Sequence, residues 1–263
     1  MNIAVLMKQV PDSDEVKLDE KTGTMIREGA GTIINPLDLH AIEQAVQMAR
    51  RCEGTVTVLS MGPPQTEESL REAMAMGAHK ALLATDRRFA GSDSWATSRV
   101  LSSLVTRLGG FDLVLAGEKA TDGETGQVGP EVASMLDIPF CTYVSEIHVD
   151  VSRGGVVATR TVEDGYERQF LPFPCLLTVL SDLNQPSMPT LSGKIRAREA
   201  SVERVSAAEL DIPADELGLN GSPTRVSKVS FPKIQRENQL FQGSSLEEGI
   251  DLFLQKCKEM AIL

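Results

Sequence analysis

A chain of 263 residues, 41% hydrophobic, 24% charged and 4% aromatic, has the composition of a folded globular protein, which excludes disordered and collagen-like classes. A net charge of −11 disfavours nonspecific binding to nucleic acid or anionic lipid, because phosphate repels a net-negative surface. Few aromatic residues means a core built from Val, Leu, Ile, Ala and Met, and few rings on which a ligand could stack.

From residue 2 to about 140, short β-branched runs alternate with amphipathic stretches of helical length, the pattern of parallel strands joined by helical crossovers. Strands are expected at 3–7, 55–60, 80–84 and 113–116, and helices at 37–51, 66–76, 93–108 and about 130–136. An insertion at 12–34, with a Lys21-Thr22-Gly23 turn, reads as a hairpin after the first strand. From 141 the rhythm changes to short strands at 141–150, 155–162, 168–173 and 176–180, expected as antiparallel additions to the sheet. The expected organisation is a nucleotide-binding α/β domain over 1–182, then an irregular Pro-rich tail that regains a helical pattern only at 246–260. Such a tail suits packing on a partner.

Cys52, Cys141, Cys175 and Cys257 are scattered and read as apolar thiols, and His40, His79 and His148 are isolated, so neither metal nor covalent catalysis is expected. No apolar run reaches the ~18 residues of a membrane span, and the N-terminus is charged too early for a signal peptide. A cytoplasmic protein in a reducing compartment is the expectation.

Ligands of open parallel sheets sit beyond the carboxyl ends of the strands. Three such ends carry unusual sequence: Leu6–Pro11, the Met61-Gly62-Pro63-Pro64 stop, and the glycine-rich stretch from Gly117 to Pro130. Glycines let backbone approach a ligand, and N–H groups at a helix start attract anions. The stretch matches neither the dinucleotide fingerprint nor a P-loop, so by itself it is a weak signal. Convergence of the three ends at one crevice favours an adenine-nucleotide site. Gly91-Ser92-Asp93 opens another helix at the same edge, with Ser92 or Asp93 as cap.

Several motifs now stand in order: Lys8-Gln9-Val10-Pro11-Asp12, Asn35-Pro36-Leu37-Asp38, Ser60-Met61-Gly62-Pro63, Ala73-Met74-Ala75-Met76-Gly77-Ala78, the loop at 122–129, and Thr190-Leu191-Ser192-Gly193-Lys194-Ile195 followed by Arg196 and Arg198. Together they resemble the β subunit of an electron-transfer flavoprotein over essentially the whole chain. The resemblance implies a doubly wound, mostly parallel, Rossmann-like sheet of the adenine nucleotide alpha hydrolase type. It also implies a heterodimer with an α subunit that carries most of an FAD site, while the β subunit holds AMP or, in electron-bifurcating members, a second FAD.

Carried over by position, the nucleotide would contact Leu6, the turn Asn35, Pro36, Leu37 and Asp38, Met61 and Gly117. The rest of its loop would be Lys119, Ala120, Thr121, Asp122, Gly123, Glu124, Thr125, Gly126, Gln127 and Val128. The AMP-binding class has Asn and Thr where this chain has Gly126 and Val128, and the loop is similar to that of the bifurcating class. The segment at 87–97, with Gly91, Asp93 and Thr97, is also similar to one that borders the flavin there. For that class the resemblance implies oxidation of NADH, with the electrons divided between an acyl-CoA dehydrogenase or related enzyme and a ferredoxin or flavodoxin. An ordinary single-FAD carrier with AMP in this subunit is the close alternative. The resemblance also implies a docking loop at 183–200 with Leu191 as its anchor, and an arm over 201–263 that packs on the α subunit. A free-standing ATP-binding module of stress-response type is the rival from another class, against which the Pro-rich tail and the docking segment argue.

Overall fold

The computed structural model describes residues 1–12, 17–18, 25–26, 31–227, 240 and 245–260. The chain divides into two compact units, Met1–Ser227 and Lys228–Leu263. In the first, β1 (Asn2–Leu6) leads into the insertion, where β2 (Gln9–Pro11) pairs antiparallel with β5 (Thr32–Ile34), and the two-residue strands β3 (Lys17–Leu18) and β4 (Met25–Ile26) pair with each other. The expected turn at 21–23 lies outside the described residues. There follow α1 (Pro36–Arg51), β6 (Thr55–Met61), α2 (Thr66–Met76), β7 (Lys80–Ala84), α3 (Ser94–Arg107), β8 (Leu113–Gly117), α4 (Val128–Met135), β9 (Phe140–Asp150), β10 (Gly155–Val162), β11 (Gly165–Pro172), β12 (Cys175–Val179), α5 (Leu191–Glu199) and β13 (Glu203–Val205).

Nine strands form one sheet in the order β11-β10-β9-β12-β8-β1-β6-β7-β13. Alternation along each strand explains its two covered faces. Ile3 and Val5 of β1 point into one core with Ala41 and Ile42 of α1 and Leu70 of α2, while Ala4 and Leu6 point into the other with Val100 and Leu104 of α3 and Val132 of α4. Helices on both faces make the sheet doubly wound. The chain runs outward from β1 through β6 to β7, and β8 then returns to the other side of β1, so the strand order reverses between β1 and β8.

Three features differ from the sequence expectations. First, β12 is not an antiparallel addition: it lies between β8 and β9 and runs parallel to both, while β9, β10 and β11 pair antiparallel in turn, as expected. All five residues of β12 are buried, as a strand covered on both faces requires, and its run, apolar but for Thr178, carries that signal. Second, the segment at 183–200 holds the helix α5, which buries only Gly193 and Ala197 and so has no apolar stripe to read. Third, the compact unit does not end at 182. Beyond it, β13 extends the sheet beside β7, and Val205, Ala207, Leu210 and Leu217 enter the core that α3 covers. In the second unit, α6 (Leu246–Glu259) leaves Leu246, Ile250 and Phe253 exposed.

Among the described residues no helix is long and apolar enough to cross a membrane, and no group of His, Cys, Asp and Glu could hold a metal ion.

Candidate functional site

A cavity of about 570 Å³ opens beyond the carboxyl ends of β1, β6 and β8, at the reversal of strand order. Leu6, Met61, Ala116 and Gly117 line it from the sheet.

The first turn of α1 organises the cavity. Asn35 is 1% exposed, and both ends of its amide are spent on the glycine-rich loop: Nδ2 donates to the Lys119 carbonyl at 2.9 Å, and Oδ1 accepts the Thr121 N–H at 3.2 Å. Asp38 accepts the N–H groups of Lys8 at 2.7 Å and Gly117 at 3.0 Å, so one buried carboxyl pins the ends of β1 and β8 together. Burial pushes that carboxyl up to about 6, against the opposing pull of the hydrogen bonds it accepts. Gly117 is required by this contact, since a Cβ there would stand 2.5 Å from Asp38 Oδ1 and 2.8 Å from the Leu37 backbone.

The loop that leaves β8 supplies most of the lining. Glu124 and Gly126 adopt positive φ of 52° and 63°, which turn the chain back towards α4. No side chain caps α4, and Pro130 has no N–H, so the first-turn N–H groups of Val128 and Gly129 have no intrahelical partner. A Cβ at Gly129 would collide with Thr178 of β12, so the glycine lets α4 sit close to the sheet. Glu131 of α4 accepts the hydroxyls of Ser94 at 3.1 Å and Ser98 at 2.9 Å, which joins α4 to α3 as one wall.

At the start of α3 the cap is Asp93. Its carboxylate accepts the N–H of Ala96 at 3.1 Å and both the N–H and the hydroxyl of Thr224, at 2.9 and 2.8 Å. This cap ties the end of the first unit to the site, where Thr224 and Val226 line the cavity. Phe89, Gly91, Ser92, Thr97 and Leu101 complete that side.

Of the residues expected to touch a nucleotide, Pro36, Leu37, Thr121 and Asp122 do not line the cavity and the others do. Pro36 opens α1, Leu37 packs under Gly117, Thr121 answers Asn35, and Asp122 pairs with Lys8 at 2.6 Å. Also lining the cavity, though not among those contacts, are Met7, Lys8 and Ser92 in segments expected at this edge, Phe89, Ser94, Leu101, Ala116 and Gly129 close by in sequence, and Thr224 and Val226, whose place depends on the Asp93 cap far away in sequence. Leu191 lies elsewhere, 77% exposed at the first position of α5. The arrangement suits a nucleotide: open backbone at Gly123 and Gly126, unpartnered N–H groups at a helix start, and an apolar side of Leu6, Phe89 and Leu101.

The model of the electron transfer flavoprotein domain matches residues 22–210. The chain belongs to the electron transfer flavoprotein family. It is 42% identical to the electron transfer flavoprotein subunit beta of Thermoanaerobacterium thermosaccharolyticum, with all of both chains covered. It is 41% identical to the caffeyl-CoA reductase-Etf complex subunit CarD of Acetobacterium woodii, again over 100% of both. Protein FixA of Sinorhizobium fredii is 40% identical over 95% of this chain and 90% of its own. Full-length likeness to chains named subunit beta makes this a beta-type member of the family, with a role in electron transfer, and replaces the reading of a free-standing ATP-binding module.

Proposed function

We propose that this electron transfer flavoprotein chain is the β subunit of a heterodimer, and that its cavity holds the adenine nucleotide of a second FAD in preference to AMP. The observation that carries the reading is the cavity at the reversal of strand order, with a glycine-rich loop on one side and apolar side chains on the other. Gly126 and Val128 place no hydrogen-bonding side chain at those two positions of the loop, which leaves the backbone N–H groups of Val128 and Gly129 to bind a diphosphate. Leu6, Met61, Phe89 and Leu101 cover the rest of the ligand and exclude water. The bound flavin supplies the redox chemistry, and the protein supplies binding, orientation and electrostatics.

The proposal extends to electron bifurcation, with NADH as donor and with an acyl-CoA dehydrogenase or related enzyme and a ferredoxin or flavodoxin as acceptors. Likeness to a subunit of a caffeyl-CoA reductase complex supports a partner of that kind. So does α5 with the residues just before it, where Met188, Leu191 and Ile195 are exposed apolar side chains suited to anchoring a transient partner. Arg71 of α2 holds that helix in place by donating to the Ala197 and Ala200 carbonyls at 2.8 and 2.7 Å. The exposed apolar side chains of α6 suit an arm that packs on the α subunit.

Co-expression with the α subunit, followed by extraction and counting of cofactors, tests the assignment. Two FAD and no AMP per heterodimer is the expected result; one FAD with stoichiometric AMP would return the site to the ordinary carrier class.

A further inference from the structure

We propose that Lys8 is a positioning residue whose ion pair with Asp122 fastens the glycine-rich loop over the cavity and thereby sets how long a bound adenine nucleotide stays. The inference rests on the nucleotide reading above. Lys8 follows β1 and its backbone is fixed on both sides: its N–H donates to Asp38 at 2.7 Å, and its carbonyl accepts the Asn35 N–H at 2.9 Å. The ammonium group is therefore carried on a rigid base. It lies 2.6 Å from Asp122 Oδ1.

Asp122 occupies the point where the loop changes character. Residues before it are held by Asn35, through the Lys119 carbonyl and the Thr121 N–H. After it the chain packs loosely: nothing lies within 4 Å of a Cβ at Gly123, and a Cβ at Gly126 would meet only the Glu118 carbonyl, at 3.5 Å, so this stretch is held by the Glu124 N–H donating to the Ala120 carbonyl at 2.8 Å and, at its far end, by the Ser94 hydroxyl donating to Gln127 at 3.0 Å. The 3.7 Å pair between Lys119 and Glu124 joins two residues of the loop itself and so cannot fasten it to the sheet. Lys8, which lines the cavity, thus links the end of a central strand to the start of the open half of the loop. Release of a nucleotide requires that open half to move, and the ion pair restrains it. With 48% of the Lys8 side chain and 28% of that of Asp122 exposed, solvent ions reach the pair and salt should loosen it.

The test uses the purified heterodimer with its own cofactor, chased by an excess of the same nucleotide in labelled form. In low salt, Lys8→Met and Asp122→Asn should each speed release roughly fivefold, the upper range for a partly exposed pair. The double variant should release no faster than either single one, and Lys8→Arg should restore slow release. Raising salt to about 0.5 M should speed the wild type towards the variants and leave the variants unchanged. Unaltered release in both single variants, or acceleration that merely follows a fall in the unfolding midpoint, would overturn the tether. A wild-type heterodimer without adenine nucleotide would overturn the functional reading, and the tether with it; nucleotide retained by the wild type and released at the same rate from the variants would overturn the tether alone.

Discussion

Replacing Gly117 with alanine should destabilise the first unit by roughly 3 kcal/mol or more and abolish nucleotide binding, from overpacking and a disturbed buried carboxyl. The new Cβ would stand 2.5 Å from Asp38 Oδ1 and 2.8 Å from the Leu37 backbone, and neither neighbour can yield cheaply. Asp38 is held by two backbone donors and Leu37 lies in the first turn of α1. Moving α1 outward would break the 3.0 Å bond from the Gly117 N–H and leave a buried carboxyl with one fewer donor. Gly123→Ala is the control, because that position has nothing within 4 Å. Urea unfolding should separate the two, with Gly123→Ala close to wild type, and the cofactor content of Gly117→Ala reads the loss of binding. Equal behaviour of the two variants would contradict the tight contact at the end of β8.

The second large effect is a pH dependence that belongs to Asp38. Its folded carboxyl is pushed up to about 6 by burial, above the ordinary value near 4, so the folded state binds this proton more tightly than the unfolded chain. The resulting stability is present in full below the ordinary value and is lost as the pH rises through about 6. At about 1.4 kcal/mol for each pH unit of separation, the loss is on the order of 3 kcal/mol. Asp38→Asn does not titrate, and its amide turns an NH₂ towards the N–H of either Lys8 or Gly117. The stability advantage of the wild type over Asp38→Asn should therefore be greatest at about pH 4 and below, and shrink by roughly 2–3 kcal/mol by about pH 7.5. Urea unfolding of the two proteins across that range measures it, and a constant gap would refute the assignment.

Local periodicity carried much of the fold. Helix α2 and strands β7 and β10 lie where their apolar spacing predicts, because each buries a face dense enough in apolar residues to mark its period. Strand order is a nonlocal property, and the insertion of β12 between β8 and β9 was legible only as a nearly apolar run, Cys175 to Val179, broken by Thr178 alone. The structure of the tail was harder to read for a different reason: α5 packs through Gly193 and Ala197, and β13 buries only Val205, so neither offers a pattern. At the site, glycines and strand ends marked the loop and the crevice. What Asn35 and Asp38 do was hidden, since both look like ligand contacts in sequence but spend their side chains on Lys119, Thr121, Lys8 and Gly117. Thr224 and Val226 reach the cavity through the Asp93 cap, a contact across 131 positions that no local signal announces.

The central claim is that an adenine-nucleotide cofactor occupies the crevice between β1 and β8. A crystal structure of the co-purified heterodimer tests it most directly. Nucleotide density is expected in this cavity, with phosphate oxygens against the backbone N–H groups of Val128 and Gly129 and the rest of the ligand against Leu6, Phe89 and Leu101. A solvent-filled cavity in this chain, with every nucleotide bound in the α subunit, would contradict it.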